Sequence, residues 1–245
     1  MYEHDSIVPS KESRESKKEQ VAVMFNRIAG KYDFFNRFLS AGIDIRWRKK
    51  ALKQLKANPP AHLLDVATGT ADMAIMAKRM LNPGKITGID ISEKMLEIGR
   101  DKIKKAGYQN VINLLLGDSE TINYPPETFD AVTAAFGVRN FEHLEIGLSE
   151  MHRVMKTGGK MVILEFCKPK IKGWRKIYNI YMAKVAPKIV AAFSANKDAY
   201  EYLDKSVNAF PERDDFLAIM KKIGFKNTSY KPLSLGICCI YCGIK

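Results

Sequence analysis

Apolar positions along this chain follow two periods, and the switch between them predicts its architecture. From residue 62 onward, short apolar runs alternate with stretches in which apolar side chains recur at helical spacing. This pattern predicts strands at 62–67, 85–90, 111–116, 129–135 and 160–167, and helices at 71–81, 92–105 and 143–155. Strands that are apolar throughout and separated by helices indicate a parallel sheet covered on both faces. Upstream, Val21, Met24, Phe25 and Ile28 share one helical face, and Ile45, Leu52 and Leu55 follow more loosely. Gly30 and Gly42 are the expected breaks, and Asn58-Pro-Pro60 closes this module. After Pro169 a basic, aromatic helical segment is expected to about Ser194, with Pro187 kinking or ending it. A helix near 212–222 and strands at 225–231 and 237–244 complete the chain. The expected fold is therefore α/β and Rossmann-like. Its sheet has seven strands, mostly parallel, with an antiparallel terminal strand, preceded by N-terminal helices and interrupted by a helical insertion after strand 5.

The 245 residues suffice for one sizeable domain with a full core. Residues 1–17 are polar, lack the apolar core of a signal peptide, and are expected to form a disordered tail. The domain then spans 18–245: a helical cap (18–60), a cofactor-binding core (61–168), a basic helical lid (169–200), and a C-terminal helix with strands (201–245). No apolar run reaches the roughly 18 residues of a spanning helix. Of the four cysteines, Cys239 and Cys242 form a C-x-x-C pair, but in a segment that reads as a strand. Buried, reduced thiols and a cytoplasmic protein are the expectation.

The formal net charge is +13, unevenly spread. Residues 153–197 carry eleven basic side chains and one acidic, whereas 61–152 are mildly acidic. A segment this basic faces a nucleic acid, an anionic lipid surface or an acidic substrate, or is simply a solvated lysine-rich face.

Candidate chemistry lies at the strand ends. The first strand runs into Asp65-Val-Ala-Thr-Gly-Thr-Ala71, where Gly69 lets the backbone approach a ligand. The second ends at Asp90, followed by Ile91 and the helix cap Ser92. The third leads to Asp118 and Ser119. Ligands in open α/β sheets bind at these ends, and a carboxylate after the second strand can accept both hydroxyls of a ribose. The three ends together point to S-adenosyl-L-methionine: Asp65, Gly69 and Thr70 toward its methionine portion, Asp90 on the ribose, Asp118 and the Ser119 amide at the adenine. No G-x-G-x-x-G occurs to suggest a dinucleotide. Taken singly, the first turn reads better as a strand–turn–helix with a capping aspartate. Phe136-Gly-Val-Arg-Asn140 follows the fourth strand, where this architecture faces its substrate, although a surface turn would also explain an arginine there.

Several segments together resemble the ubiquinone/menaquinone biosynthesis C-methyltransferase family over about residues 21–245. They are Met24-Phe-Asn-Arg-Ile-Ala-Gly-Lys-Tyr-Asp33, Asn36 through Arg48, Leu64-Asp-Val-Ala-Thr-Gly-Thr-Ala-Asp72, Phe136-Gly-Val-Arg-Asn140, Leu164-Glu-Phe166, Tyr200-Glu-Tyr-Leu203 and Phe210-Pro211. The resemblance implies the class I fold of enzymes that use S-adenosyl-L-methionine, with cofactor contacts at Thr70, Asp90, Asp118 and Ser119. The chain departs from the family at Ala71, where glycine is commoner, and at Ala135, where some members have serine, which puts a side-chain hydrogen bond from position 135 in doubt. The implied reaction methylates a ring carbon of a polyprenylated quinol, with demethylmenaquinol to menaquinol preferred and the benzoquinol step of ubiquinone biosynthesis as the alternative. Arg139 would stabilise the quinolate, Asn140 orient it, and Tyr32 close the site. The general base stays open among His143, Asp33 and a water held by Arg139. No metal is expected.

The basic segment with Trp174, Tyr178, Tyr181 and Met182 suits an interfacial helix on anionic lipid, a lid over an apolar channel, or a core helix with a basic outer face. Peripheral association with the inner face of the membrane follows from the first reading. A nucleic-acid methyltransferase is the alternative from another class. It would need an N/D-P-P-Y/F turn after strand four, and Asn123-Tyr-Pro-Pro126 precedes that strand instead. A non-catalytic cofactor-binding subunit is a third class. Tail length stays open, as does the choice between monomer and homodimer.

Overall fold

The computed structural model describes residues 2–181 and 197–245. Two helices, α1 (Lys17–Leu39) and α2 (Ile43–Leu52), precede β1 (His62–Val66). Then follow α3 (Asp72–Leu81), β2 (Lys85–Asp90), α4 (Glu93–Ala106), β3 (Ile112–Leu116), β4 (Phe129–Ala135), α5 (Leu144–Val154) and β5 (Met155–Phe166). Helices α6 (Lys172–Ile180), α7 (Lys197–Ala209) and α8 (Asp214–Ile223) lead to β6 (Lys226–Leu233) and β7 (Cys238–Ile244). The sheet order is β3-β2-β1-β4-β5-β7-β6, and only β7 runs antiparallel to its neighbours. Pro232, which cannot donate to a ladder, sits in the edge strand β6.

The unbroken apolar runs are explained by burial on both faces. Along β1, β5 and β7 alternate residues enter different cores: Leu63, Leu164 and Ile240 pack with α2, α3 and α4, while Leu64, Ile163 and Tyr241 pack with α5 and α8. A one-residue slip in any of these strands would exchange both sets, so the register is strongly specified. All four cysteines are free thiols, and all are buried.

Helix ends follow local chemistry. Ser16 and Glu19 form a capping box at the start of α1, Gly42 enters α2 with φ +73°, and Gly107 and Gly224 close α4 and α8 in left-handed conformations. Three expectations need correction. Helix α1 runs straight through Gly30, because one glycine costs only about 1 kcal/mol and the flanking apolar face outweighs it. Strand β5 starts five residues early, at Met155, with Gly158 at φ +80° and a register shift against β4. Residues 2–16 are not a loose tail: a 3-10 turn spans Glu3–Ser6, and His4 is wholly buried. Helix α7 was not anticipated as a unit, and it crosses the expected boundary at residue 200. Of the expected basic segment, α6 is described, while Met182 and Pro187 lie outside the described residues. Among the described residues, no helix is long and apolar enough to cross a membrane.

Candidate active site

The chain reverses its winding between β1 and β4, and two cavities meet above their C-terminal ends. The first is a cleft over β1, β2 and β4 with Lys18, Val21 and Phe25 of α1 drawn across it. The backbone of its first turn is unusual: Ala67, Gly69 and Ala71 have φ of 52°, 55° and 64°. A left-handed residue at 71 explains why glycine is common there. Alanine at that position costs roughly 1 kcal/mol of backbone strain, which is held by Ala71 N–H donating to Thr68 O and Thr68 N–H donating to Ile89 O. A Cβ built on Gly69 meets no protein atom within 4 Å, so the space beside it belongs to the cleft.

Asp90 is the anchor of this cleft. Its Oδ2 accepts the Gly69 N–H at 2.8 Å and its Oδ1 accepts the Ser92 N–H at 2.9 Å. Its partners are all backbone amides, Ile91 N–H among them, so the carboxylate keeps some capacity to accept from a ligand. Burial, with the Asp65 charge nearby, pushes the Asp90 carboxyl up to about 6 against the pull of those amides. A carboxylate tied to backbone amides, facing open space beside a glycine, fits the vicinal diol of a nucleoside. Ile91, Asp118, Ser119 and Ala135 share this wall. Asp118 is already engaged: its Oδ1 accepts Glu120 N–H at 2.9 Å and its Oδ2 accepts from Lys18 Nζ at 3.1 Å.

Two residues expected on the cofactor do not reach the cleft. Asp65 is 1% exposed and accepts from Thr68 Oγ1 at 2.6 Å and Thr133 Oγ1 at 2.7 Å, so it braces the turn from within. Burial raises its carboxyl to about 6 as well. Thr70 points away, donating to Asp33 Oδ1 at 2.6 Å, and it caps nothing: the N-cap of α3 is Ala71, with no side-chain bond.

The second cavity is larger, about 550 Å³, and mostly apolar. Met24, Ile28, Phe35 and Leu39 of α1 form one side, and Trp47, Phe166 and Tyr178 face them. Tyr181 Oη donates to Leu39 O at 2.9 Å, tying the end of α6 to the end of α1. Phe25, Tyr32, Phe136 and Asn140 line both cavities. They mark the passage between the two.

Arg139 lines only the larger cavity, and its charge is not free. Nη1 donates to Glu165 Oε1 at 2.9 Å and to the Phe136 carbonyl, while the guanidinium lies over the Phe166 ring at 5.3 Å. Glu165 is 0% exposed. The arginine expected at the substrate is thus a buried group that already holds a carboxylate partner. From outside, His4 Nε2 donates to the Arg139 carbonyl at 2.5 Å, and Lys17 Nζ donates to the His4 carbonyl at 2.8 Å.

The candidate bases fare unevenly. Asp33 is held by Lys102 at 3.0 Å and by Thr70, and it lines neither cavity. His143 pairs with Glu120 at 2.9 Å on an exposed face and likewise lines neither. Glu165 and His4 were missed by sequence reasoning. Glu165 carried a usable signal, an acid near the end of an apolar strand, the same feature that singled out Asp90. His4 carried none.

A profile of the ubiE/COQ5 methyltransferase family matches residues 13–245. The chain belongs to that family. It is 42% identical over 245 residues to a demethylmenaquinone methyltransferase of Bacteroides fragilis, covering 100% of this chain and 99% of that one. It is 45% identical over 230 residues to a ubiquinone/menaquinone biosynthesis C-methyltransferase of Geotalea daltonii, covering 94% and 97%. Solved structures share the fold at lower identity. A SAM-dependent methyltransferase from Aquifex aeolicus is 19% identical with TM-score 0.58, covering 80% of this chain and 88% of that one. The [4+2]-cyclase SpnF is 16% identical with TM-score 0.62, covering 95% and 97%. SpnF is named a cyclase, so the shared fold by itself does not fix a chemistry.

Proposed function

We propose that this protein transfers a methyl group from S-adenosyl-L-methionine to a ring carbon of a polyprenylated quinol, with demethylmenaquinol as the preferred acceptor. The observation that carries the reading is the junction of two unlike cavities at Tyr32, Phe136 and Asn140. One presents a carboxylate suited to a ribose, and the other is an apolar chamber suited to a flat ring and the start of an isoprenoid tail. The names of the B. fragilis and G. daltonii relatives support quinone chemistry, and the former favours a naphthoquinol.

When bound, S-adenosyl-L-methionine supplies an electrophilic methyl group. The protein's tasks are alignment and charge. An aromatic carbon becomes a competent nucleophile when the neighbouring hydroxyl loses its proton, and a phenol near pKa 10 resists this by about 4 kcal/mol at neutral pH. Arg139 Nε has no partner among the described residues, so it is available to a ring oxygen as negative charge grows there. Glu165 fixes the guanidinium plane and tempers its charge. Asn140 reaches both cavities and orients the ring, and Tyr32 walls the passage.

We place the protein in the cytoplasm, peripherally on the inner face of the membrane. Helix α6 carries Lys172, Arg175 and Lys176 beside the exposed Ile171 and Ile180, a composition suited to anionic lipid. Sedimentation with vesicles should show binding that rises with anionic lipid content; indifference to lipid charge contradicts this placement. The acceptor is tested by offering labelled cofactor with demethylmenaquinol, a demethylated ubiquinol precursor and bulk RNA. Label should enter the naphthoquinol fastest. Label in RNA and in neither quinol would reject the reading.

A further inference from the structure

Four buried polar atoms on residues lining the larger cavity have no hydrogen-bond partner among the described residues: Arg139 Nε, Asn140 Oδ1, Trp174 Nε1 and Tyr202 Oη. They come from three separate elements, the turn after β4, α6 and α7. A buried polar group left unsatisfied costs about 1–3 kcal/mol, and native interiors rarely keep one without a reason. All four residues line one mostly apolar chamber, and a ligand bound there is the missing partner that this arrangement calls for.

Two of these atoms belong to the machinery already described. Tyr202 does not. It is 3% exposed and packs against Val21 and Met24 of α1, where a phenylalanine would fill the same space without an orphaned hydroxyl. Resting on the quinol reading above, we infer that Tyr202 is a substrate-binding residue whose hydroxyl donates a hydrogen bond to an oxygen of the bound ring, with Trp174 Nε1 as a second donor from the facing helix. The set has matching polarity. Arg139 Nε and Trp174 Nε1 can only donate, Tyr202 can do either, and Asn140 Oδ1 only accepts. A ring bearing two oxygens, at least one still protonated, satisfies all of them. Burial also pushes the Tyr202 hydroxyl up, partly offset by the Arg139 charge, so it keeps its proton and remains a donor when a ring oxygen becomes negative.

The inference makes a prediction of opposite sign to that of a structural tyrosine. In ligand-free protein, Tyr202→Phe removes an unsatisfied group, so the melting temperature should hold or rise. Affinity for a short-tailed 2-prenyl-1,4-naphthohydroquinone, measured anaerobically by calorimetry, should fall about tenfold. Affinity for the matching prenylated naphthalene, which lacks ring oxygens, should not change, and neither should cofactor affinity. Trp174→Phe should weaken the quinol selectively in the same way. A wild-type protein that binds the quinol beside a Tyr202→Phe variant that binds it equally well overturns this assignment alone. Equal losses on quinol and hydrocarbon, or a lower melting temperature, mark Tyr202 as packing and also overturn it. A wild type that binds neither compound would remove the quinol reading, and this inference with it.

Discussion

Glu165 and Arg139 form an ion pair at 2.9 Å in which neither side chain is more than 7% exposed. The pair links the end of β5 to the turn after β4, so a buried strand residue fixes the guanidinium that is proposed to face the substrate. Breaking a buried pair by removing one partner strands the other charge and costs about 3–5 kcal/mol. Arg139→Ala should therefore lower the melting temperature as well as reduce kcat, by about 10²–10³-fold if its donor serves the quinolate. Glu165→Gln keeps the side chain's shape but turns one of two accepting oxygens, which take Arg139 N–H, Arg139 Nη1 and Phe166 N–H, into a donor. The guanidinium then loses its fixed plane, so turnover should drop at least about tenfold while cofactor affinity, read by calorimetry, holds. Unchanged turnover in Glu165→Gln would detach the pair from the reaction.

With Asp90 proposed to hold the ribose, its charge state should set how tightly the cofactor binds. Accepting two hydroxyls requires the carboxylate, and burial has raised this group to about 6. Cofactor affinity should thus weaken as pH falls through 6 and level off above 7. Stability of the ligand-free protein moves the other way. Between the ordinary 3.8 and about 6, the folded state binds more protons at Asp65 and Asp90 than the unfolded chain does, so these groups favour folding as pH drops through that window. Cofactor affinity that is flat from pH 5 to 8 would contradict the role given to Asp90.

His4 should pull stability in the opposite sense. Burial first, then the Lys17 charge, depresses it from 6.5 to about 4, despite the facing Asp5 carboxylate. Between those values the unfolded chain binds more protons, so His4 makes stability fall as pH drops from about 6.5 to 4. The full effect is up to about 3 kcal/mol. Thermal melts of wild type and His4→Phe across this range should converge toward acid. Because His4 holds the Arg139 carbonyl, the variant should also lose turnover at neutral pH. Parallel melting curves would remove His4 from the account.

Gly137 brings the substrate-side turn against the cofactor-side turn. A Cβ there would lie 2.3 Å from the Ala67 Cβ, with backbone behind it. Gly137→Ala must push the two turns apart at the passage between the cavities. Affinity for both ligands should fall only a few-fold, while kcat drops by about 10²-fold, because a misplacement near 1 Å is felt most in the aligned transition state. Wild-type kcat in this variant would mean that the two turns need not touch.

The sheet was legible because its signal is redundant: the central strands β1, β4, β5 and β7 are buried along nearly their whole apolar length and most helices carry their own stripe, so those segments could be read alone. That Asp90, Asp118 and Ser119 would share one cleft was legible because strand ends in this architecture open on a common crevice. Asp65 and Thr70 misled because sequence shows that a polar side chain ends a strand, not which way it turns. Here Thr68 and Thr133 draw Asp65 inward, and Asp33 draws Thr70 aside. The N-terminal segment was illegible because its burial depends on partners far along the chain, with His4 contacting Arg139 and the Tyr2 hydroxyl donating to Glu145. Polar composition describes a segment's solubility, not the existence of a matching surface elsewhere.

Everything turns on a ring carbon, not a ring oxygen, receiving the methyl group. Wild-type protein given S-adenosyl-L-methionine carrying a ¹³C methyl, together with demethylmenaquinol, yields a product whose labelled carbon can be located by carbon NMR. The account predicts an aryl methyl, with the label attached to the quinol ring carbon and both ring oxygens unsubstituted. A labelled methoxy group, or label recovered only in unreacted cofactor, would contradict it.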